Sequence, residues 1–185
     1  MIYPVYVFGE PILRKQADPI TKDFKELKEF IQSMFETMYV SDGVGLAAPQ
    51  VGQSIRIFVI DTIIEDKDED EPAGIKRAFI NPVIIEKFGD EWSLNEGCLS
   101  LPEIREDVFR PESVRMKYQD ENFIEHEEVF EGFTSRVIQH EYDHLEGIMF
   151  VDYLNPLRKR ILKSKLISIS KGKITPKYRI KVPGK

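Results

Sequence analysis

The sequence predicts a mixed chain of helices and antiparallel strands. Three observations predict it. Apolar residues recur at helical spacing over residues 24–40, strand-forming residues with a hairpin signal fill 56–130, and a second helical segment begins near residue 133. At 185 residues the chain is expected to form one domain with its own core.

The elements follow in order. Residues 1–20 carry an apolar run, Tyr3 to Phe8, but Pro4, Pro11 and Pro19 predict extended or irregular chain. Over 24–40, Phe24, Leu27, Phe30, Ile31, Met34, Phe35 and Met38 form a helical stripe that reads as core. Asp23 is the expected N-cap, with Glu26 three residues on, and Ser41-Asp42-Gly43 the expected stop. Gly43 to Gly52 then reads as a loop of glycines and small alanines, able to bring backbone close to a partner. It lacks the Gly-Lys-Ser/Thr of a phosphate loop.

Arg56 to Thr62 reads as a strand, and the charged run 65–71 as an exposed loop. A second strand is expected over 78–87, with Asn81-Pro82 marking an edge or bulge, and a third over 91–100. Residues 114–118 and 123–130 flank Asp120-Glu121-Asn122, a hairpin signal. The next helix begins near Phe133 or Thr134 and stops by Gly147. A last helix is read over 157–168 from Leu157, Ile161, Leu162, Lys165 and Leu166, before an irregular end.

Composition excludes several classes. No apolar run approaches the roughly 18 residues of a membrane span, and the first residues lack the basic start and apolar middle of a signal peptide. The single cysteine, Cys98, excludes an internal disulfide and points to a reducing compartment, with the cytoplasm the default. The net charge of -6 hides an asymmetry. Residues 156–185 hold eleven Lys and Arg and no Asp or Glu, so the other 155 residues carry 15 basic against 32 acidic side chains, a balance of -17. The basic end suits a polyanionic partner or a merely solvated helix.

The chemistry centres on Gln139-His140-Glu141-Tyr142-Asp143-His144. His140 and His144, four apart on a helix, share one face and can share a metal. Glu141 beside them suits a general base for a metal-activated water. Phe133 and Val137 extend the same face, so the metal would sit at the edge of the core. Two histidines leave the site short of a third ligand. The downstream extension of the larger zinc proteases is absent, Glu146 lies too near His144, and His126 reads as a surface strand residue. Cys98 is the better candidate, because thiolate binds late first-row metals and Gly97 and Pro102 shape its loop. An inert buried cysteine is the alternative that the residues alone leave open.

Three segments together resemble the signature motifs of the peptide deformylases, in that family's order. They are Gly43-Val44-Gly45-Leu46-Ala47-Ala48-Pro49-Gln50, Glu96-Gly97-Cys98-Leu99-Ser100 and Gln139 to His144. Val7-Phe8-Gly9 with Leu13-Arg14 adds an N-terminal likeness. The resemblance implies an α+β fold: a central metal-binding helix among small antiparallel β-sheets, with an N-terminal-half helix and a C-terminal helix, all within one catalytic domain. It implies removal of the formyl group from the N-terminal formyl-methionine of nascent polypeptides, releasing formate.

The resemblance also implies roles. Cys98, His140 and His144 hold one divalent metal, natively Fe2+, with Zn2+, Ni2+ or Co2+ possible in preparations. Glu141 is the proton carrier, and the Gln50 side-chain amide and the Leu99 backbone N–H are the oxyanion donors. Val44, Gly45 and Gly97 suit close approach of an extended peptide, and Val44 with Val137 an apolar pocket for the methionine side chain. Arg105 resembles a peptide-contacting residue, with a surface arginine the alternative; Asp143 is expected to hold a neighbour in place. The ribosome is the expected partner of the basic end, and no membrane is expected. The rival readings are a metallopeptidase on the same helix, a catalytically dead binding module, and an RNA-binding protein.

Overall fold

The structure, a computed structural model, describes residues 1–63 and 73–184. The charged run at 65–71 therefore lies outside the described residues. Seven strands and three α-helices are described: β1 (Val5–Tyr6), α1 (Leu27–Val40), β2 (Gly45–Ala47), β3 (Ile57–Asp61), β4 (Lys76–Gly97), β5 (Arg105–Gln119), β6 (Glu125–Glu131), α2 (Gly132–Leu145), α3 (Pro156–Ser170) and β7 (Ile180–Lys181). Strands β2 to β6 form one antiparallel sheet in chain order, and β1 pairs with β7 in parallel. This is an α+β fold. No helix among the described residues is long and apolar enough to cross a membrane.

Strand β3 explains the layering. Its apolar run is continuous because both faces are covered. Ile57 and Val59 join Phe30, Ile31, Met34 and Met38 of α1, whereas Phe58 and Ile60 join Val137, Ile138 and Leu145 of α2. Alternate residues of one strand thus feed two cores. A third core gathers Val7, Leu13, Leu101, Phe150, Leu162, Ile169 and Val182, and Cys98 packs against it. The two histidines therefore sit on a helix held against the sheet, and the cysteine on the loop leaving β4.

Several elements depart from the expectations. Helix α1 begins at Leu27, not 24. Glu26 adopts a left-handed conformation (φ 58) and Phe24 N–H closes a turn onto Thr21 O, so Asp23 is not the cap. Phe24 still packs on the core, edge-on to Phe30 at 6.1 Å. The expected glycine-rich loop contains strand β2 and a 3-10 turn over Ala48–Val51. The two strands expected over 78–100 are one, β4. Its register shifts between Ile80 and Val83, where Asn81-Pro82 makes the expected bulge, and again twice before Gly97. Strand β5 starts at Arg105, well before the hairpin signal, and the hairpin to β6 forms as read. Helix α2 starts at Gly132.

Helix α3 runs from Pro156 to Ser170, capped by the Asn155 side chain accepting from Arg158 N–H at 2.9 Å. Leu157 and Ile161 are exposed, and the helix packs instead through Leu162, Leu166 and Ile169, spaced by one and two turns. The irregular end holds one strand, β7, whose register with β1 (Val5 with Ile180) no local pattern announces.

Candidate metal centre

Helix α2 delivers three side chains to one place. His140, Glu141 and His144 meet Cys98, which follows the last residue of β4. The ligand atoms of Cys98, His140 and His144 lie within 4.8 Å of one another, and Cys98 Sγ is 3.2 Å from His144 Nε2. A sulfur and two imidazole nitrogens converging at a half-buried site are a donor set for a late first-row divalent metal. The buried Oε2 of Glu141, which faces the same cleft, has no hydrogen-bond partner among the described residues. Natural structures rarely leave a buried polar atom without a partner. The donors therefore fit a metal.

Burial dominates the electrostatics. It pushes the His144 imidazole well toward its neutral, ligating form and raises the Glu141 carboxyl to about 7. Burial also pulls His140 down, but the acceptors Cys98 and Glu96 outweigh it and raise it well above the ordinary histidine value. Glu96 accepts from His140 Nδ1 at 2.9 Å, which fixes the ring and leaves Nε2 for the site.

Glu96 is the hub of a buried charge network. It also accepts from Arg110 Nε at 2.7 Å and from Arg136 at 2.9 Å, while Arg110 reaches Asp143 at 2.6 Å. Two carboxylates and two guanidiniums balance, and each is at most 5% exposed. Burial alone would raise the Glu96 carboxyl, but the hydrogen bonds from His140 and Arg110 hold it far below the ordinary carboxylate range. Tyr153 and Trp92 cover Arg110 and Arg136 with their ring faces at 4.7 and 4.5 Å.

A cleft of about 600 Å³ opens over the centre. Gln50, Cys98, Leu99, His140 and Glu141 line it, as do Val44, Gly45, Gly97, Arg105 and Val137. Every expected site residue but one thus faces one cavity; His144 is buried beside it, 1% exposed. The Gln50 amide is oriented by Ala47 N–H, which donates to Oε1 at 2.8 Å. Nε2 is left facing Cys98 Sγ (3.6 Å) and Ser100 Oγ (3.2 Å). Gly45 passes so close to Glu141 that a Cβ there would meet its Cγ and Cδ at 2.8 Å. Gly97 makes room for Arg105 across the ladder, whose guanidinium is tied to Asn95 at 3.0 and 2.7 Å. His126 contacts Asp120 in the hairpin and Glu146 pairs with Arg56, so neither joins the centre.

The polypeptide deformylase family model matches residues 2–160. The chain belongs to the polypeptide deformylase family. A peptide deformylase of Christiangramia forsetii is 50% identical over 190 residues, covering 99% of this chain and 97% of its own. That of Flavobacterium johnsoniae is 52% identical, covering 98% and 96%. Among solved structures, a peptide deformylase of Plasmodium falciparum superposes with a TM-score of 0.81 at 38% identity, covering 91% of this chain and 95% of its own. One from Legionella pneumophila gives 0.81 at 36%, covering 94% and 98%. The deformylase reaction is removal of the N-formyl group from nascent polypeptides, and the family is metal-dependent.

Sequence reasoning missed four parts of the deformylase centre. Glu96 was visible only as the start of a motif, and Arg110 and Arg136 not at all. The signal for Arg110 is phase: Glu106, Val108 and Arg110 are the buried alternation of β5, and an arginine in a buried phase needs a buried partner. Asp143 does hold a neighbour, Arg110, as expected. Tyr178, which donates to Leu99 O at 2.7 Å, carries no local signal.

Proposed function

We propose that residues 1–185 act as one catalytic domain in which Cys98, His140 and His144 hold the metal, natively Fe2+, with Zn2+, Ni2+ or Co2+ able to replace it. When bound, the metal supplies Lewis acidity, lowering the pKa of water and polarising the formyl carbonyl. Glu141 takes the proton from the attacking water on a carboxylate oxygen and returns it to the leaving amine nitrogen, so that formate and a free N-terminus result. Gln50 Nε2 and the Leu99 N–H donate to the carbonyl oxygen as negative charge develops on it. The peptide lies along Val44, Gly45 and Gly97, with Arg105 at the mouth of the cleft, and the methionine side chain enters between Val44 and Val137.

The observation that carries this reading is Glu141 itself. Its carboxylate is 4% exposed, one oxygen has no protein partner, and it stands beside three metal donors and the oriented Gln50 amide in one cleft. A buried carboxylate with no partner is costly unless it has chemistry to do. The test is formate release from a formyl-Met peptide by anaerobically prepared protein, with metal content measured on the same sample. Activity that tracks iron content supports the reading. Equal activity after complete chelation would overturn it.

The cytoplasm is the compartment this reading implies, since a thiolate ligand needs reducing conditions. A ribosomal partner is favoured by a separate observation. Arg160 and Lys163 of α3, with Lys171 and Lys173 just past its end, line a shallow groove, a face suited to phosphate backbone. Because Leu162 and Ile169 anchor α3 in the core, the test reverses surface charge rather than deleting the helix. Reversal of Arg160 and Lys163 should abolish co-sedimentation with ribosomes at low salt; unchanged co-sedimentation overturns this partner.

A further inference from the structure

The family match ends at residue 160, yet the chain beyond it returns to the cleft. Pro176, Lys177 and Tyr178 form part of the cleft wall. The segment is seated, not loose. Val5 N–H donates to Arg179 O at 2.8 Å and Val7 N–H to Lys181 O at 3.1 Å. Val182 is buried in the core that contains Leu101 and Ile104. At Gly9 even a methyl group would meet Ser170 and Pro183 at 2.8 and 3.0 Å.

Two consecutive carbonyls of the cysteine loop are held from this side. The Tyr178 hydroxyl donates to Leu99 O at 2.7 Å, and Phe8 N–H, two residues past β1, donates to Ser100 O at 2.9 Å. From the other side, Gln50 Nε2 donates to Ser100 Oγ and Leu101 N–H closes the turn on Cys98 O at 2.9 Å. Tyr178 is half-buried at this contact. Leu99 is thus flanked by a metal donor on one side and an anchored carbonyl on the other.

We propose that the segment Ile174–Val182 is a working part of the active site, with Tyr178 a positioning residue that fixes the Leu99 backbone through its carbonyl. The proposal rests on the reading of the Leu99 N–H as a donor to the reacting oxygen. Fixing the Leu99–Ser100 peptide limits rotation about the Leu99 backbone, so the N–H on the other side of the same residue stays aimed into the cleft. Preorganised donors lower a barrier because they need not reorient as charge develops. The Tyr178 hydroxyl is engaged by the Leu99 carbonyl, so removing that hydroxyl alone should act on turnover rather than on substrate binding.

The test is Tyr178→Phe, which removes one oxygen and leaves the ring in place, in zinc-loaded protein spanning residues 1–185. Expected are a fall in kcat of between about two-fold and tenfold, the range of one lost neutral hydrogen bond, with KM, metal content and melting temperature little changed. The backbone amide signals of Leu99 and Ser100 in a ¹⁵N–¹H spectrum should shift and their hydrogen exchange quicken. Unchanged kcat, or unshifted Leu99 and Ser100 signals, overturns the proposal. A parallel protein with the Cys98–Leu99 amide replaced by an ester separates the two readings. If the ester lowers kcat and Tyr178→Phe does not, the Tyr178 proposal fails alone. If the ester leaves kcat unchanged, the Leu99 donor reading fails and the proposal falls with it.

Discussion

Replacing Gly45 with alanine tests the Glu141 assignment without touching Glu141. Gly45 lies in β2, paired with Ile60, and its backbone does not demand a glycine by its φ. The only consequence of a methyl group is steric. It would stand 2.8 Å from Cγ and Cδ of Glu141 and nearer still to Oε1, whereas ordinary contact begins at 3.4 Å. Ordinary contact at Cγ and Cδ alone requires the Glu141 side chain to retreat from the methyl by about 0.6 Å. Displacement on the scale of 1 Å at reacting groups costs about a hundredfold in rate, so kcat should fall by roughly ten- to a hundredfold. Overpacking adds about 1–3 kcal/mol of destabilisation, visible as a lower melting temperature. Formate release, metal content and a thermal melt on one preparation separate these effects. Full metal content with kcat within three-fold of the parent, on the order of 0.6 kcal/mol, would show that Glu141 need not sit where it does, and the base assignment would fail.

Three other changes probe the rest of the site. Glu141→Gln should keep its metal and lose about 10²- to 10⁴-fold in turnover; retained turnover removes Glu141 from the chemistry. Cys98→Ala should lose most of its metal on dialysis, and unchanged metal by elemental analysis would show the ligand set to be wrong. Glu96→Ala removes a shared partner from Arg110, Arg136 and His140 at once. Urea unfolding should show a loss of about 3–5 kcal/mol, with metal affinity falling about 10- to 100-fold; a stability loss under 1 kcal/mol, the level of a surface pair, would mean that the network is not structural.

What was legible in the sequence was whatever a short window could carry. The α1 stripe, the β5–β6 hairpin and the α2 motif are each set by residues within one or two turns of each other, and they stand close to where they were read. The convergence of Cys98, His140 and His144 could be anticipated because chemistry, not geometry, singles out a lone cysteine and a histidine pair as candidate donors. Less could be read where distant chain decides the outcome. Strand β4 runs through Asn81-Pro82 because β3 pairs before the bulge and β5 after it. Leu157 and Ile161 look like a core face until α3 meets the body through its other side. The guanidiniums of Arg110 and Arg136 are partners of Glu96 only because the sheet brings residues 14 and 40 positions apart together. Tyr178 lies 79 residues from the carbonyl it holds.

Cys98 and His144 are 46 positions apart in the chain, with β5, β6 and most of α2 strung between them. Any ion gripping both ends therefore closes a ring around that hairpin, and acts as a removable cross-link as well as a reagent. For a ring of that size, the loop entropy withheld from the unfolded chain is worth about 4 kcal/mol. Stripping the ion would thus lower the stability of the whole fold by about that amount. The enzyme's resistance to proteolysis becomes a gauge of its metal occupancy, readable without substrate.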